Sequence, residues 1–465
     1  MLLNSLLKLD LFIKVAREVN LRMNINIEPL SFYLEKEDKP LLFHLLDVGQ
    51  GLMSLVVFPD NTTFIYDCNI TEDNKDNIIQ YLTNNLPLRW NNKTNKNERW
   101  IDIFVCSHRD IDHLRGLDIL NENFPIHSIW DSEQCGASTS SNDYRYYMNL
   151  RRIIKEKFGE KKLVTPKAKD IVKKGAVEIH CLSPFENCEI EDETKKQHTK
   201  CIVLSIKYAN KSILLTGDSD WYVWKNKIVP EFKNAKVLKS EILVASHHGS
   251  RSFFTETSGD NDSIDIKKYP DTTYLDALDY IKPIVTLISC AECKPPHNLP
   301  NSEALKIYEN KTGLGNTSQV LTTNDKGTLI GFIKQNGQWG ITPYRFRNIS
   351  NPHFNFKIIC KTDTQQNVEH KSTLNKGVNL KYTLKSEGGL LDPINKLNVY
   401  WEVSNCGINE DEIHQEVYHK SKKELDEKLY FSRDLQYSGR HLLRCRVINK
   451  NKNVDITKIF IINCI

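Results

Sequence analysis

The run Ser107-His108-Arg109-Asp110-Ile111-Asp112-His113-Leu114-Arg115-Gly116-Leu117 places four potential metal ligands within six residues. It follows the apolar segment Ile101–Ser107, which reads as a buried strand. Side chains two apart on extended backbone leave on the same side, so His108 and Asp110 can address one ion. Asp112 and His113 come at the turn into the next element, where they can face a second. A solvated charged turn would look the same in isolation. Three further strand ends carry the same chemistry. Ser212–Thr216 runs into Gly217-Asp218, Glu241–Ser246 into His247-His248-Gly249-Ser250, and His198-Thr199 directly precedes the strand opening at Cys201.

Residues scattered this widely meet only if the fold gathers strand ends at one edge. Short β-branched runs from Leu41 to about Ile341 alternate with helical segments such as Tyr144–Phe158 and Asn301–Asn310. The runs are Leu41–Val48, Ser54–Phe58, Thr63–Tyr66, Ile101–Ser107, Cys201–Tyr208, Ser212–Thr216, Glu241–Ser246 and Val285–Ser289. That alternation predicts a layered α/β architecture with loops of neighbouring strands at a common edge. From about Ser350 the pattern changes to extended stretches and polar turns, which predicts a separate, mostly β domain. The expected divisions are an N-terminal helix or extension over 1–38, an α/β domain over 39–345 and a β-rich domain over 353–465. Within the first of these, Met1–Arg22 has helical apolar spacing and reads as a partner-binding or surface helix or as a docked terminal one; Met23 offers an alternative start.

The chain has 465 residues, 40% hydrophobic and 26% charged, with 63 Lys+Arg against 59 Asp+Glu. Its mean hydropathy is -0.47. This composition excludes disorder, collagen and a multi-span membrane protein. A net charge of +4 is far below that of a protein coating long duplex nucleic acid, so contact with a polynucleotide is expected to be local. The twelve cysteines are dispersed and no signal peptide precedes them, which predicts reduced thiols and a cytoplasmic location. Cys290-Ala-Glu-Cys293 has ligand spacing but no second pair.

The stretch from Leu41 to about Asn310 resembles metallo-β-lactamase-fold hydrolases, and among them the ComEC-like branch. The likeness rests on Asp47-Val48-Gly49-Gln50-Gly51, on Asp67 closing Phe64-Ile65-Tyr66-Asp67, and on His108-x-Asp110-x-Asp112-His113. Thr216-Gly217-Asp218 and His247-His248-Gly249-Ser250 complete it. The resemblance implies an αββα sandwich with two divalent ions, zinc or manganese, with magnesium as a third option. It assigns His108, Asp110 and His198 to one ion, Asp112, His113 and His247 to the other, and Asp218 as the bridge. Asp67 is the structural aspartate. Asp112, Asp218 and His248 are expected to act in the chemistry. His248 is a proton donor or phosphate contact, or else an outer histidine bonded to backbone; His297 is open in the same way. Arg109 and Arg115 flank the motif and are placed to meet anionic substrate, with a helix-surface arginine as the equal alternative for Arg115.

The tail resembles the sensor domain that follows bacterial nucleotidyltransferases and nucleotide cyclases of defence systems. The resemblance is carried by Tyr400-Trp401-Glu402-Val403-Ser404-Asn405-Cys406-Gly407 and Tyr437-Ser438-Gly439-Arg440-His441-Leu442-Leu443-Arg444. Trp401 and Tyr437 offer faces for a base, or else form a sandwich core and a corner; Arg440, His441 and Arg444 suit phosphate. The implied protein is a binuclear metal-dependent phosphodiesterase or nuclease acting on single-stranded DNA or RNA, gated by a nucleotide signal in antiviral defence. The alternatives are a hydrolase of a small phosphodiester such as a cyclic nucleotide, and a non-catalytic signal-binding regulator. Expected partners are the nucleic acid or nucleotide substrate, a nucleotide second messenger at the C-terminal domain, and a second copy of the chain.

Overall fold

The computed structural model describes residues 38–134, 138–186, 198–256, 263–293, 298–313, 319–343, 348–349, 355–388, 398–406, 419–421, 430–436, 438–449 and 454–465. Readings that fall on 1–37, on His297 and on Tyr437 lie outside these residues.

The first sheet begins with β1 (Leu41–Leu45), β2 (Ser54–Val57) and β3 (Thr63–Tyr66), an antiparallel series. Helix α1 (Lys75–Asn85) leads to β4 (Ile103–Cys106), and α2 (Leu117–Asn123) to β5 (Ile129–Asp131). Helix α3 (Asn142–Phe158) then leads to β6 (Leu163–Val164). β3, β4, β5 and β6 pair in parallel. Helix α3 starts where Ser141 Oγ accepts the Tyr144 amide, and Tyr147, Leu150 and Ile154 make its buried stripe at helical spacing.

The second sheet has β7 (Ile171–Lys174), β8 (Val177–Ser183), β9 (Val203–Tyr208) and β10 (Lys211–Leu215) in antiparallel succession. It continues in parallel through β11 (Ile242–Val244), β12 (Val285–Ile288) and, after α4 (Ser302–Lys311), β13 (Val320–Thr322). The chain returns to the first sheet as β14 (Leu329–Ile333) and β15 (Trp339–Pro343), giving the order β6-β5-β4-β3-β2-β1-β14-β15.

Alternation of side chains decides the layers. Phe43, Val56, Phe64 and Val105 face inward and share a core with Ile179, Leu204, Ile213, Val244 and Leu287 of the second sheet. Their strand neighbours Leu55, Ile65 and Phe104 face outward onto Tyr81, Leu120, Tyr147 and Leu150. Leu214 and Leu243 do the same against Trp224, Phe253, Leu278 and Tyr308. Two sheets thus share one buried layer, with helices outside each. The chain is mixed α/β, as its pattern predicts. Each buried side chain of this size contributes about 1.5–3 kcal/mol of transfer free energy. Nine of the described cysteines are free thiols, eight of them buried. No described helix is long and apolar enough to cross a membrane.

The C-terminal strands are β16 (Asn348–Ile349), β17 (Asn355–Thr362), β18 (Asn367–Val368), β19 (Ser372–Leu374) and β20 (Asn379–Gly388). They continue as β21 (Asn398–Cys406), β22 (His419–Ser421), β23 (Tyr430–Asp434), β24 (Gly439–Asn449) and β25 (Val454–Cys464). One sheet runs β16-β25-β24-β21-β22 with β19 beside β25, and the other runs β18-β17-β20-β23. Phe356, Tyr382, Trp401, Phe431, Cys445 and Phe460 fill the space between them. On the opposite face, Ile461 joins the apolar cluster of Ile330 and Phe332, and Arg444 Nη2 donates to Thr342 Oγ1 at 2.7 Å. The β domain is therefore packed onto β14 and β15.

Candidate metal centre

Parallel pairing brings the C-terminal ends of β3, β4, β10 and β11 to one edge, and the candidate ligands stand there. Asp67 follows β3 with φ 61 and is fully buried. It accepts from the Ser107 amide and the Ser107 hydroxyl, both at 2.7 Å, and from His113 Nδ1 at 2.8 Å. Ile111–His113 is a single 3-10 turn, which reverses the chain so that Asp112 and His113 follow His108 into the same space. Leu52 N donates to Asp112 O at 3.2 Å, tying the Asp47–Gly51 turn to the motif.

Gly217 has φ +51, and a Cβ there would stand 2.4 Å from Cys201 Sγ and 2.8 Å from Tyr66 Oη. Only glycine lets the Asp218 loop approach this closely. His247 and His248 both adopt left-handed backbone, φ 49 and 55, which for side-chain-bearing residues costs about 1–3 kcal/mol each. That double turn sends the two imidazoles to different parts of the site.

Asp110 Oδ2 lies 3.5 Å from His108 Nε2 and 3.4 Å from His198 Nε2. Asp112 Oδ2 lies 3.3 Å from His248 Nε2 and 3.9 Å from His113 Nε2. Asp218 spans the two groups, with Oδ1 3.2 Å from His113 Nε2 and Oδ2 3.8 Å from His108 Nε2 and 3.5 Å from His247 Nε2. Ligand atoms fall within 4.8 Å of one another in each of His108/Asp110/His198, Asp112/His113/His248, His108/His113/Asp218 and His198/Asp218/His247. The expected ligands all meet here, with one exchange: His248, not His247, stands with Asp112 and His113. His247 stands instead with His198 and Asp218.

Outer partners fix the tautomers. Ser289 O can only accept, so His248 Nδ1 donates to it at 3.1 Å. His113 Nδ1 donates to Asp67. The Ser107 hydroxyl is spent on Asp67, so its oxygen accepts from His108 Nδ1 at 3.0 Å. Each ring then turns a bare Nε2 into the site. Buried His108, His113, His198 and His248 Nε2 and Asp218 Oδ1 have no hydrogen-bond partner. Five convergent, unpartnered donor atoms fit divalent cations and would be costly left bare.

Electrostatics agree. Burial alone would raise Asp218, yet His113, His247 and His108 hold it well below the usual carboxylate range. Burial would likewise raise Asp112, and His113 and His248 depress it. Burial would lower His113, but Asp218, Asp67 and Asp112 lift it well above the ordinary imidazole range. Burial, reinforced by His198 and His248, takes His247 down to about 4 against the pull of Asp218. Asp112 and Asp218 are thus held in their anionic forms in one buried space, a charge that a cation would offset.

Other readings are corrected by packing. Arg109 is buried and pairs with Asp131 at 2.8 Å, whereas Arg115 is half-buried and donates from Nη1 to Asn69 Oδ1 at 3.2 Å. Trp401 is 1% exposed and stacks on Phe431 at 5.9 Å, and His441 is 4% exposed on the same inward parity as Leu443 and Cys445. Neither presents a face for a ligand, because in-strand alternation turns both into the sandwich. Arg444 is buried against Thr342. Arg440 lies on β24 opposite Cys406 and Asn463. Cys290 and Cys293 join no metal-ligand group among the described residues. Sequence reasoning did not find Ser252, which holds His247 Nδ1 at 2.9 Å, nor Ser289, nor the Thr199–Asp220 bond of 2.8 Å linking the His198 and Asp218 segments. Only Ser107, adjacent to His108, was findable by position.

Residues 338–464 match the family described as the Adenylyl/Guanylyl and SMODS C-terminal sensor domain. The match begins at β15, a strand hydrogen-bonded into the first sheet. No curated protein matches the chain. Among solved structures it is similar to CmlA, a diiron β-hydroxylase from Streptomyces venezuelae, at 12% identity and TM-score 0.35, over 63% of this chain and 53% of that one. A single-residue mutant of CmlA gives 13% identity and TM-score 0.33, over 62% and 53% of the two chains. The soluble domain of PmoD from a Methylocystis species gives 10% identity and TM-score 0.18, over 25% and 96%. The chain spans about half the length of the CmlA structures.

Proposed function

We propose that the chain is a binuclear metal-dependent phosphodiesterase of the ComEC-like metallo-β-lactamase type, acting on single-stranded DNA or RNA and gated by a nucleotide at its C-terminal sensor domain. The observation that carries this reading is the donor set: two triads of convergent side-chain ligand atoms with one oxygen of Asp218 beside each. His108, Asp110 and His198 would hold one ion, and Asp112, His113 and His248 the other, with His247 beside Asp218 completing the first. Two such ions activate water at neutral pH and stabilise the oxygens entering and leaving phosphorus. The carboxylate-rich set suits manganese or magnesium as well as zinc. Asp67, Ser107 and Ser289 orient the imidazoles so that their Nε2 atoms face the site. The sensor-family match supports the nucleotide gate and a place in antiviral defence, and the packing of β24 and β25 on β14 and β15 supplies a route for it.

The test is incubation of the purified chain with labelled single-stranded DNA and manganese, magnesium or zinc, with and without a nucleotide mixture. Asp110→Ala/Asp112→Ala is the control. Metal-dependent cleavage lost in the double variant is the expected result; a metal-loaded protein that cuts no phosphodiester would sink it. A smaller substrate, such as a cyclic nucleotide, is the second reading. It is favoured by Arg109, the cation inside the motif, being spent on Asp131 within the fold. Indifference of turnover to salt and polymer length would decide for it.

A further inference from the structure

Between α1 and β4 the chain makes a small antiparallel hairpin, Arg89–Asn91 against Lys96–Glu98. Residues directly opposite in such a pair share a face, and the faces alternate along each strand. One face is committed to the fold. Arg89 pairs with Asp102 at 2.5 Å and lies over the Trp100 ring, and Asn91 Nδ2 donates to Glu98 Oε2 at 2.6 Å. The other face carries Trp90 opposite Asn97, with Leu88 and Arg99 next in the same alternation. Trp90 is 57% exposed, the most exposed of the seven tryptophans.

Leu88, Asn97 and Arg99 wall a cavity of about 350 Å³. That is the size of a small-molecule site, roughly 300–1,000 Å³. Leu42 of β1, Val57 of β2 and Leu86 supply its apolar lining. Asn61, Asn84 and Asn85 add carboxamides to that of Asn97, and no carboxylate lines it. Arg99 Nε donates to Leu86 O at 3.2 Å, which holds the guanidinium at the wall. Burial alone lowers the Arg99 pKa, with no carboxylate opposing it. An exposed indole stacks on a nucleobase, carboxamides offer the paired donor and acceptor that base edges carry, and a guanidinium without a carboxylate partner suits phosphate. An apolar ligand would leave Arg99 and the carboxamides unused, and a simple carboxylic acid would leave Trp90 unused.

We infer that this cavity, with Trp90 at its rim and Arg99 in its wall, binds a small nucleotide, the base on Trp90 and the phosphate on Arg99. The site lies in the α/β part and is additional to the one expected in the sensor domain. In the sheet Leu42 stands between Val57 and Phe332 of β14, and Phe332 shares a cluster with Ile461 of the docked β domain. A nucleotide held here lies one strand from that seam and would add a second input to the gate proposed above; that role, unlike the site, rests on that reading.

The test is calorimetric titration of the full chain, freed of metal by a chelator, with AMP, GMP, CMP and UMP in turn. At least one is expected to bind at millimolar concentration or below. Ribose 5-phosphate, which lacks the base, should bind about 10-fold or more weakly. Trp90→Ala, at an exposed position, should weaken the nucleotide step about 5–100-fold, and Trp90→Phe should recover part of it. Arg99→Gln, which keeps a donor for Leu86, should weaken it about 10-fold or more. Binding by none of the four nucleotides, equal binding of ribose 5-phosphate, or a titration unchanged in Trp90→Ala overturns the inference. Should Arg99→Gln not fold, the Trp90 variants decide. Because metal is absent throughout, failure here leaves the phosphodiesterase reading standing. A chain that binds nucleotide through Trp90 and Arg99 but cuts nothing keeps the site and loses the gate.

Discussion

The two parts of the chain treat their histidines and aromatic residues in opposite ways. At the edge of the α/β part, His108, His113, His198 and His248 stand outside the strands and turn bare nitrogens toward one another. In the β part, Trp401 and His441 stand within strands and turn into the sandwich. Loop backbone with non-repeating angles can aim each side chain separately, as the left-handed pair His247 and His248 shows. A strand offers only two directions, and the parity shared with Val399 and Val403, or with Leu443 and Cys445, sends these residues inward. A motif in a loop is therefore to be judged by convergence, and a motif in a strand by parity.

The sharpest break of that comparison is Asp218→Asn. One carboxylate serves both triads, so the amide should release both ions and reduce turnover by more than about 100-fold, beyond what an outer partner is worth. Metal content and cleavage of a labelled oligonucleotide check it, and retention of both ions would remove Asp218 as the bridge. Next in size is Asp67→Asn. Asp67 accepts three donors, and an amide must present N–H to at least one of them, disturbing the tautomer of His113. The expected loss is about 10–100-fold in affinity for the ion at Asp112 and His113, read by titration.

For the β part the prediction is about stability. Trp401→Ala should cost about 3–5 kcal/mol in the unfolding of this domain, followed by denaturant titration of its fluorescence or hydrogen exchange. Metal content should stay at the wild-type level. Trp401→Phe, which keeps an aromatic ring against Phe431, should cost less. If alanine left the domain as stable as before and abolished nucleotide binding, Trp401 would be a ligand face and the parity argument would be wrong.

Much of the α/β part was legible because its strands are continuous β-branched runs, and the ligands sit where those runs stop. The gathering of His108, Asp110, Asp112, His113, His198 and Asp218 followed from strand ends sharing an edge. The exchange of His247 and His248 was not legible, since it depends on two left-handed residues that composition does not announce. Asp131 and Ser289 were hidden for a different reason. They lie 22 and 41 residues from the groups they hold, and no local spacing connects them. The docking of Ile461 on Ile330 and Phe332 was hidden too, because strand alternation tells which residues share a face and not what covers that face.

The smallest test places the same contrast inside the first domain. His44 lies in β1, within the strand, with Nδ1 2.7 Å from Tyr81 Oη and no carboxylate beside it. Burial alone takes its pKa from 6.5 down to about 3, whereas the loop residue His113, equally buried, is lifted by its aspartates. Between pH 6.5 and about 3 the unfolded chain binds a proton at this position and the folded chain does not. Stability from this group is therefore complete above pH 6.5 and declines as pH falls through that window, by on the order of a few kcal/mol at its lower end. His44→Gln keeps a partner for Tyr81 and should flatten that part of the profile. The quantity to measure is the difference in denaturation midpoint between variant and wild type at successive pH values, since groups common to both cancel. A difference independent of pH would mean that His44 takes its proton in place, and that position within a strand does not separate the two kinds of histidine.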